Sequence, residues 1–155
     1  MQQMKVSDFL GPKNVILEIQ SRDKKGSVTE LVELLYKDKK VKDLHKAINA
    51  VMEREKLGTT GVGQGVAIPH GRTDTVSELV SAFGISRAGV QFEALDGEPV
   101  HILFLLLSPS DSAGQHLRAI ARVSRLFKDK FCRQALMEAR SVEELLKIMK
   151  QEDEY

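Results

Sequence analysis

The sequence predicts a single α/β domain, built as a three-layer sandwich with a mixed central β-sheet and helices on both faces. Strand-like and helix-like segments alternate along 155 residues without an internal repeat or a flexible linker, which indicates one domain of layered architecture. Leu79–Ile85 and Val100–Leu107 are also largely apolar on both alternating sets of positions. This pattern is typical of interior strands that are covered on both faces.

The first predicted elements are a short strand and a helix. Val15–Ile19 has the β-branched, apolar composition of a strand and follows a Gly-Pro pair that breaks the preceding structure. Ser27 and Glu30 have the spacing of a capping box, in which two side chains accept hydrogen bonds from free amides at a helix start. They predict a helix with one apolar stripe, formed by Val28, Leu31, Val32 and Leu35.

The second predicted helix covers Asp43–Lys56. Its apolar residues recur at the spacing of one helical face, and Gly58 supplies a stop signal. The stripe consists of Leu44, Ala47, Ile48, Val51 and Met52. Val66–Ile68 follows as a short strand candidate.

The C-terminal third is predicted to be helical. Gln115–Phe127 and Lys130–Ala139 have helical periodicity, and Ser141 with Glu144 forms another capping box before a last helix. We therefore expect the domain to cover residues 5–150 and to end in a polar, frayed tail over 151–155.

Composition excludes several classes of protein. A hydrophobic content of 42% is too high for a disordered chain. With 23 basic and 22 acidic residues, the net charge of +1 gives no electrostatic reason to bind nucleic acid or a membrane surface. Cys132 is the only cysteine, which excludes an internal disulfide. Ile102–Leu107 is the longest apolar run, and the N-terminus lacks a signal-peptide pattern, so we expect a cytoplasmic protein without membrane insertion.

The glycine-rich segment Gly61–Arg72 is the first candidate for chemistry. A dinucleotide-binding loop needs a strand before it and a helix after it, whereas here a helix precedes and a strand follows. His70 lies in this segment between Pro69, which restricts the backbone, and Gly71, which is expected to leave one side of the imidazole open. A nucleophilic or acid–base role is possible because histidine titrates near neutrality. A loop histidine without a function is the alternative.

Three other histidines and one arginine complete the candidates. His45 is predicted to be a surface residue, and His101 to be a structural residue of its strand. His116 begins a predicted helix, where free amides and the helix dipole attract anions such as a phosphoryl group. Arg54 lies on the polar side of the second helix. Two histidines without carboxylate or thiolate partners make a poor zinc site, and we expect neither a metal nor a cofactor.

A longer motif unites several of these residues. The segments Arg54–Lys56, Thr60–Gly63 and Gly65–Gly71 resemble the signature of the fructose/mannitol-type EIIA domains of the bacterial phosphoenolpyruvate-dependent phosphotransferase system. Phe92–Asp96 and His116-Leu117 match that family in order and spacing. The resemblance extends from about Val6 to Met149. It is greatest to the stand-alone nitrogen-regulatory EIIA proteins, in which similar late segments occur, here Phe131–Arg133 and Val142–Leu145.

The resemblance implies a phosphotransferase that moves a phosphoryl group between histidines. His70 would be phosphorylated on Nε2 by an HPr-type phosphocarrier, and a backbone contact of Nδ1 would fix its tautomer. A protonated His116 would be the second active-site histidine. Four residues would stabilise the phosphoryl group: Arg54, Thr60, Gly71 and Arg72. Arg72 and Gln64 depart from the family, in which lysine and asparagine are common at these positions.

Two biological roles share this chemistry. The protein is either a regulator whose phosphorylation changes its binding to a target protein, or a sugar-uptake component that passes phosphate to an EIIB domain. The absence of a fused EIIB or permease domain favours the regulator. A third possibility is a binding module that is never phosphorylated.

Overall fold

The computed structural model describes residues 4–154 as alternating strands and helices. The strands are β1 (Val15–Ile16), β2 (Gly61–Gly63), β3 (Val66–Ala67), β4 (His70–Arg72), β5 (Val80–Val90) and β6 (Val100–Ser108). The helices are α1 (Lys24–Lys37), α2 (Leu44–Lys56), α3 (Ala113–Leu126), α4 (Lys130–Glu138) and α5 (Val142–Asp153). Two short 3₁₀ turns, Val6–Asp8 and Pro12–Asn14, precede β1. Within the described range, no helix has both the length and the apolar character needed to cross a membrane.

One mixed sheet forms the middle layer, as the sequence predicts. The strand order is β1-β5-β6-β3-β2, and β4 also pairs with β6. The long strands β5 and β6 are antiparallel, whereas β3 and β4 follow one another along the same side of β6, both parallel to it. This arrangement places His70, the first residue of β4, opposite Leu106 near the end of β6.

Helices cover both faces of the sheet, which confirms the three-layer prediction. Alternate residues of β6 point to opposite sides because side chains alternate along a strand. Phe104 and Leu106 belong to a core cluster shared with α3, α4 and α5. Leu103 and Leu105 belong to a second cluster shared with α1 and α2. The apolar residues on both faces of β5 and β6 are therefore buried between two helical layers.

The predicted start of α1 at Ser27 is wrong. Asp23 caps the helix by accepting a hydrogen bond from the Gly26 amide at 2.8 Å. Ser27 is consequently buried inside the first turns, where its hydroxyl donates to the Lys24 carbonyl. Glu30 instead accepts hydrogen bonds from two amides of the segment before the helix. Asp23, one turn before Ser27, is an equally good N-cap residue. The spacing of Ser27 and Glu30 alone therefore predicted the wrong helix start.

Other boundaries differ by a few residues. β1 is shorter than the predicted Val15–Ile19, β5 continues to Val90, and the three-residue strands β2 and β4 were not predicted. Ser141 caps α5 as expected by accepting from the Glu144 amide at 3.1 Å. The capping box is incomplete, however, because the Glu144 carboxylate accepts from the Arg140 amide instead.

The predicted frayed tail is wrong for residues 151–153, which form the last turn of α5. Asp153 is buried and accepts a hydrogen bond from Arg122 Nε of α3 at 2.6 Å. It also accepts from the Val6 amide at 2.7 Å. A carboxylate that binds two elements distant in sequence holds the helix end in place. Tyr155 lies outside the described residues.

Candidate functional site

His70 begins β4 with its imidazole half-buried. The preceding Pro69 carbonyl accepts a hydrogen bond from the Leu106 amide at 3.0 Å, which anchors the backbone to β6. Nδ1 of His70 lies 2.8 Å from the Ile68 carbonyl oxygen. A carbonyl can only accept, so Nδ1 carries the proton in the neutral ring and Nε2 retains its lone pair. The geometry therefore leaves Nε2 as the nucleophilic atom.

His116, in the first turn of α3, lies beside His70. The two ring centroids are 5.3 Å apart and the rings are inclined at 62°. His116 is buried, and its Nδ1 is 2.5 Å from the hydroxyl oxygen of Ser108, the last residue of β6. The fold thus brings together the two histidines that spacing alone could not connect. When the Ser108 hydroxyl donates to Nδ1, Nε2–H of His116 is a donor.

Both histidines favour the neutral form. Burial lowers the pKa of His70; the Ile68 hydrogen bond opposes this, Arg54 adds to it, and the negative Glu55 opposes it. Burial, followed by the charges of His70 and Arg72, lowers the pKa of His116 to about 4. His116 is therefore expected to be neutral at pH 7 in the unphosphorylated protein, because its ring is dehydrated and faces positive charge. The protonated His116 that the resemblance implies stays a prediction for the state in which a phosphoryl group lies beside it.

Two arginines flank the histidine pair. Arg54 lies in the last turn of α2, where Nη1 donates to the Gly58 carbonyl at 2.9 Å. Its charge acts on the pKa of His70. Arg72, the exposed last residue of β4, likewise lowers the pKa of His116 through its positive charge. The arrangement concentrates positive potential at the site although the net charge of the chain is close to zero.

Thr60 and Gly71, the other two residues predicted to stabilise the phosphoryl group, make structural contacts within the protein. Thr60 is buried, and both its amide and its hydroxyl donate to the Glu55 carboxylate. A Cβ added at Gly71 would lie 3.1 Å from the carbonyl carbon of Ala50 in α2. Gly71 thus permits close packing of β4 against α2. The expectation that its missing side chain opens one side of the imidazole is wrong, because that space faces the helix backbone.

The glycine pattern before His70 reflects a tight turn between β2 and β3. Gln64 and Gly65 both have positive φ angles, of 58° and 78°. The Gln64 amide donates to the Asp96 carboxylate at 3.0 Å. This contact uses the backbone, so it does not depend on which side chain stands at position 64. The turn is a structural support of the site.

Several residues near the site were missed by the sequence analysis. Ser108, which contacts His116, and Lys24, whose Nζ lies 3.2 Å from Glu55, have no local sequence signal. Glu55 lies inside the motif, next to Arg54. His45 is exposed and His101 binds the Ser86 carbonyl through Nδ1 at 2.8 Å, as predicted for a surface and a structural histidine. No group of three metal-ligating side chains occurs among residues 4–154.

The low pKa of His116 predicts a pH-dependent stability. The ring has a pKa of about 4 when folded and 6.5 as the reference value, so below pH 6.5 the unfolded chain binds a proton that the folded protein does not. The contribution of the neutral His116 to the free energy of unfolding is fully present above pH 6.5. It falls by roughly 3 kcal/mol as the pH decreases towards 4. Urea unfolding across this range measures the decrease. His116→Asn should remove this part of it and the exposed His45→Asn should not; equal slopes in wild type and His116→Asn would contradict the assignment.

Comparison with known proteins assigns the family. The family model described as phosphoenolpyruvate-dependent sugar phosphotransferase system, EIIA 2, matches residues 8–152. The fructose-specific EIIABC component of Bacillus subtilis is 35% identical over 97% of this chain, which spans 24% of that protein. The nitrogen regulatory protein of Bradyrhizobium diazoefficiens is 31% identical over 94% of this chain and 95% of its own length.

Solved structures agree with this family and fold. The crystal structure of nitrogen regulatory protein IIA-Ntr from Neisseria meningitidis superimposes with a TM-score of 0.86 and 35% identity, covering 93% of this chain and 98% of that one. IIA mannitol from Escherichia coli, at 24% identity over 90% of this chain and 98% of its own, has the same fold with a TM-score of 0.78. The chain belongs to the EIIA 2 family of the phosphoenolpyruvate-dependent sugar phosphotransferase system.

Proposed function

We propose that the protein is a phosphocarrier that accepts a phosphoryl group on Nε2 of His70 from an HPr-type phosphocarrier. The observation that carries this proposal is the 2.8 Å contact of His70 Nδ1 with the Ile68 carbonyl, beside the neutral His116. This contact fixes the tautomer in which Nε2 is a nucleophile at neutral pH. The resemblance to the EIIA family supplies the donor class.

The proposed step needs no metal ion or nucleotide. The Nε2 lone pair attacks phosphorus of the donor phosphohistidine, and the donor nitrogen leaves with the electrons of its P–N bond. His70 keeps its Nδ1 proton, so the phosphorylated ring is cationic and the Ile68 carbonyl stabilises it. In-line geometry and stabilisation of charge on the equatorial oxygens are the main requirements of such a transfer.

Groups around His70 are suited to that charge. Arg54 and Arg72 supply positive potential, and His116 supplies a ring N–H when its tautomer is set by Ser108. The first turn of α3, which carries His116, has no side-chain cap from Ser112. Its free amides therefore add to the attraction for an anion. Thr60 and Gly71 are assigned supporting roles, in the positioning of the backbone.

Exposed apolar residues that are close in sequence to the predicted site residues are suited to brief docking of a partner protein. Leu57 follows α2, Val62 lies in β2, and Leu117 is adjacent to His116; 85%, 55% and 66% of their surfaces are exposed. Apolar side chains among charged ones are typical of transient protein interfaces. The donor and the acceptor would use this surface in turn, since both must bring a phosphorylated or phosphate-accepting group to His70.

We further propose that the partner of the phosphocarrier after the donor step is a regulatory target protein. The similarity to IIA-Ntr and to nitrogen regulatory proteins along almost their whole length supports a target protein as partner. The fructose EIIABC relative supports the second candidate, transfer to an EIIB domain. Incubation of the phosphorylated protein with purified EIIB domains distinguishes the two, because only a transport component should lose its phosphate rapidly.

The central test is incubation with phosphoenolpyruvate, enzyme I and an HPr-type carrier, followed by mass spectrometry. The expected result is one acid-labile, base-stable phosphoryl group per chain, which is characteristic of phosphohistidine. No mass increase with a panel of active carriers would overturn the proposal and favour an unphosphorylated binding module.

Arg54→Ala is expected to lower the rate of phosphoryl acceptance by roughly 10²-fold, because one preorganised positive group near the transferring phosphoryl is lost. Stopped-flow or quench measurement with a phosphorylated carrier gives the rate. Lys56→Ala, on the same helix but paired with Glu53 at the surface, is the matched control. An unchanged rate in Arg54→Ala would leave this arginine as an ordinary surface charge.

A further inference from the structure

Glu55 is an unusual feature of the site's surroundings. Its carboxylate is buried, with only 6% of the residue exposed, in the last turn of α2. The C-terminal end of a helix carries negative potential, so an acidic side chain there is unfavourable. Burial of its charge adds a further cost unless it is fully paired. Nothing in the phosphoryl chemistry proposed above uses this carboxylate.

The contacts of Glu55 join two parts of the chain. One oxygen lies 3.2 Å from Lys24 Nζ at the start of α1. The other accepts from the Thr60 amide at 3.1 Å and from the Thr60 hydroxyl. Lys24 is itself held over the Phe92 ring, at 5.0 Å from its centroid. The carboxylate is therefore paired on both sides, and Thr60 is bound through two donors.

From Thr60 the hydrogen bonds continue to the nucleophile. The Thr60 carbonyl accepts from the Ile68 amide at 3.2 Å. The Ile68 carbonyl in turn accepts a hydrogen bond from His70 Nδ1 at 2.8 Å. A continuous series of contacts thus connects Lys24, Glu55, Thr60 and Ile68 with the imidazole. The buried Ile68 side chain belongs to the core cluster beneath α3, and the hydrogen bond to its amide adds a polar constraint on the backbone that carries the carbonyl.

We propose that Glu55, together with Lys24 and Thr60, is a positioning unit that holds the Ile68 carbonyl in place and so fixes the tautomer and orientation of His70. The carboxylate binds Thr60 from one side, and β6 binds the segment from the other through the Pro69 carbonyl. The ring nitrogen that faces the partner is then determined by residues that never contact the phosphoryl group. The consequence for transfer rate rests on the proposed function, whereas the effect on the His70 tautomer does not.

The test uses the unphosphorylated protein and its ¹⁵N-labelled imidazoles. In wild type, NMR should show one His70 tautomer, with the proton on Nδ1. Glu55→Gln removes the charge but keeps the size, and Thr60→Val removes the hydroxyl; in both, a substantial fraction of the other tautomer should appear. The matched control is Glu53→Gln, an exposed acid two residues earlier on α2, which should resemble wild type.

Kinetics give the second readout. Glu55→Gln should lower kcat for transfer from a phosphorylated carrier by about tenfold to a hundredfold with little change in KM, because docking is intact while the nucleophile is misaligned. Retention of a single Nδ1–H tautomer and of kcat, with reduced stability only, would overturn the proposal. If Glu55→Gln does not fold, Thr60→Val decides by the same criteria, and Lys24→Met does so if neither folds. Absence of phosphorylation in wild type would refute the phosphocarrier function but leave the tautomer result standing.

Discussion

His70→Ala is expected to abolish phosphorylation completely, with no acid-labile phosphoryl group after incubation with phosphoenolpyruvate, enzyme I and an HPr-type carrier. The variant lacks the only imidazole whose Nδ1 is bound to a backbone carbonyl inside the cluster of Arg54, Arg72 and His116. His116 cannot substitute for it, since its ring is buried. Labelling with ³²P and separation on a gel measure the effect.

His45→Ala and His101→Ala are the controls for this variant. His45 is exposed on α2, and His101 is bound to the Ser86 carbonyl on β5, so both variants should be labelled like wild type. Circular dichroism establishes that His70→Ala is folded. Persistent labelling on a histidine of folded His70→Ala would refute the assignment of the phosphorylated residue.

Helices and long strands were predictable because their signals are local. The stripe of α2 repeats at helical spacing and its observed start, after Asp43, lies at the predicted residue. β5 and β6 were recognised from apolar residues on both faces. By contrast, β4 has only three residues, and its strand character arises from pairing with β6. The start of α1 was misassigned because Asp23 and Ser27 are both acceptable caps.

The site was predictable in its residues but not in its geometry. His70, His116 and Arg54 are each candidates from their residue types and positions in the sequence. The family resemblance added that the three belong to one site. Their proximity depends on the register of β4 with β6 and on the position of α3, both of which are set by long-range packing. The neutral state of His116 follows from burial and from neighbouring charges, and neither is visible in a linear sequence.

The same limitation explains the error about the C-terminus and leads to a second prediction of large effect. Asp153→Ala is expected to reduce the free energy of unfolding by about 3–5 kcal/mol. The Arg122 guanidinium would remain buried without its carboxylate partner, keeping only the hydrogen bond of Nη2 to the carbonyl of residue 153, and the Val6 amide would lose its acceptor. Urea unfolding measures the loss. Glu154→Gln, the exposed neighbour, should change stability by less than about 0.5 kcal/mol.

A double variant separates the cost of an unpaired charge from the value of the pair. Replacement of a buried ion pair by apolar residues of similar size is often neutral, so Arg122→Met with Asp153→Leu should recover most of the stability lost in Asp153→Ala. Equal losses in the single and double variants would mean that the hydrogen bond to Val6, and not the uncompensated arginine, carries the effect. Asp153 makes no described contact with His70, so a destabilised but folded Asp153→Ala protein should still be phosphorylated on His70, although Arg122 and His116 share α3. Loss of labelling in that protein would show that α5 also determines the position of the second histidine.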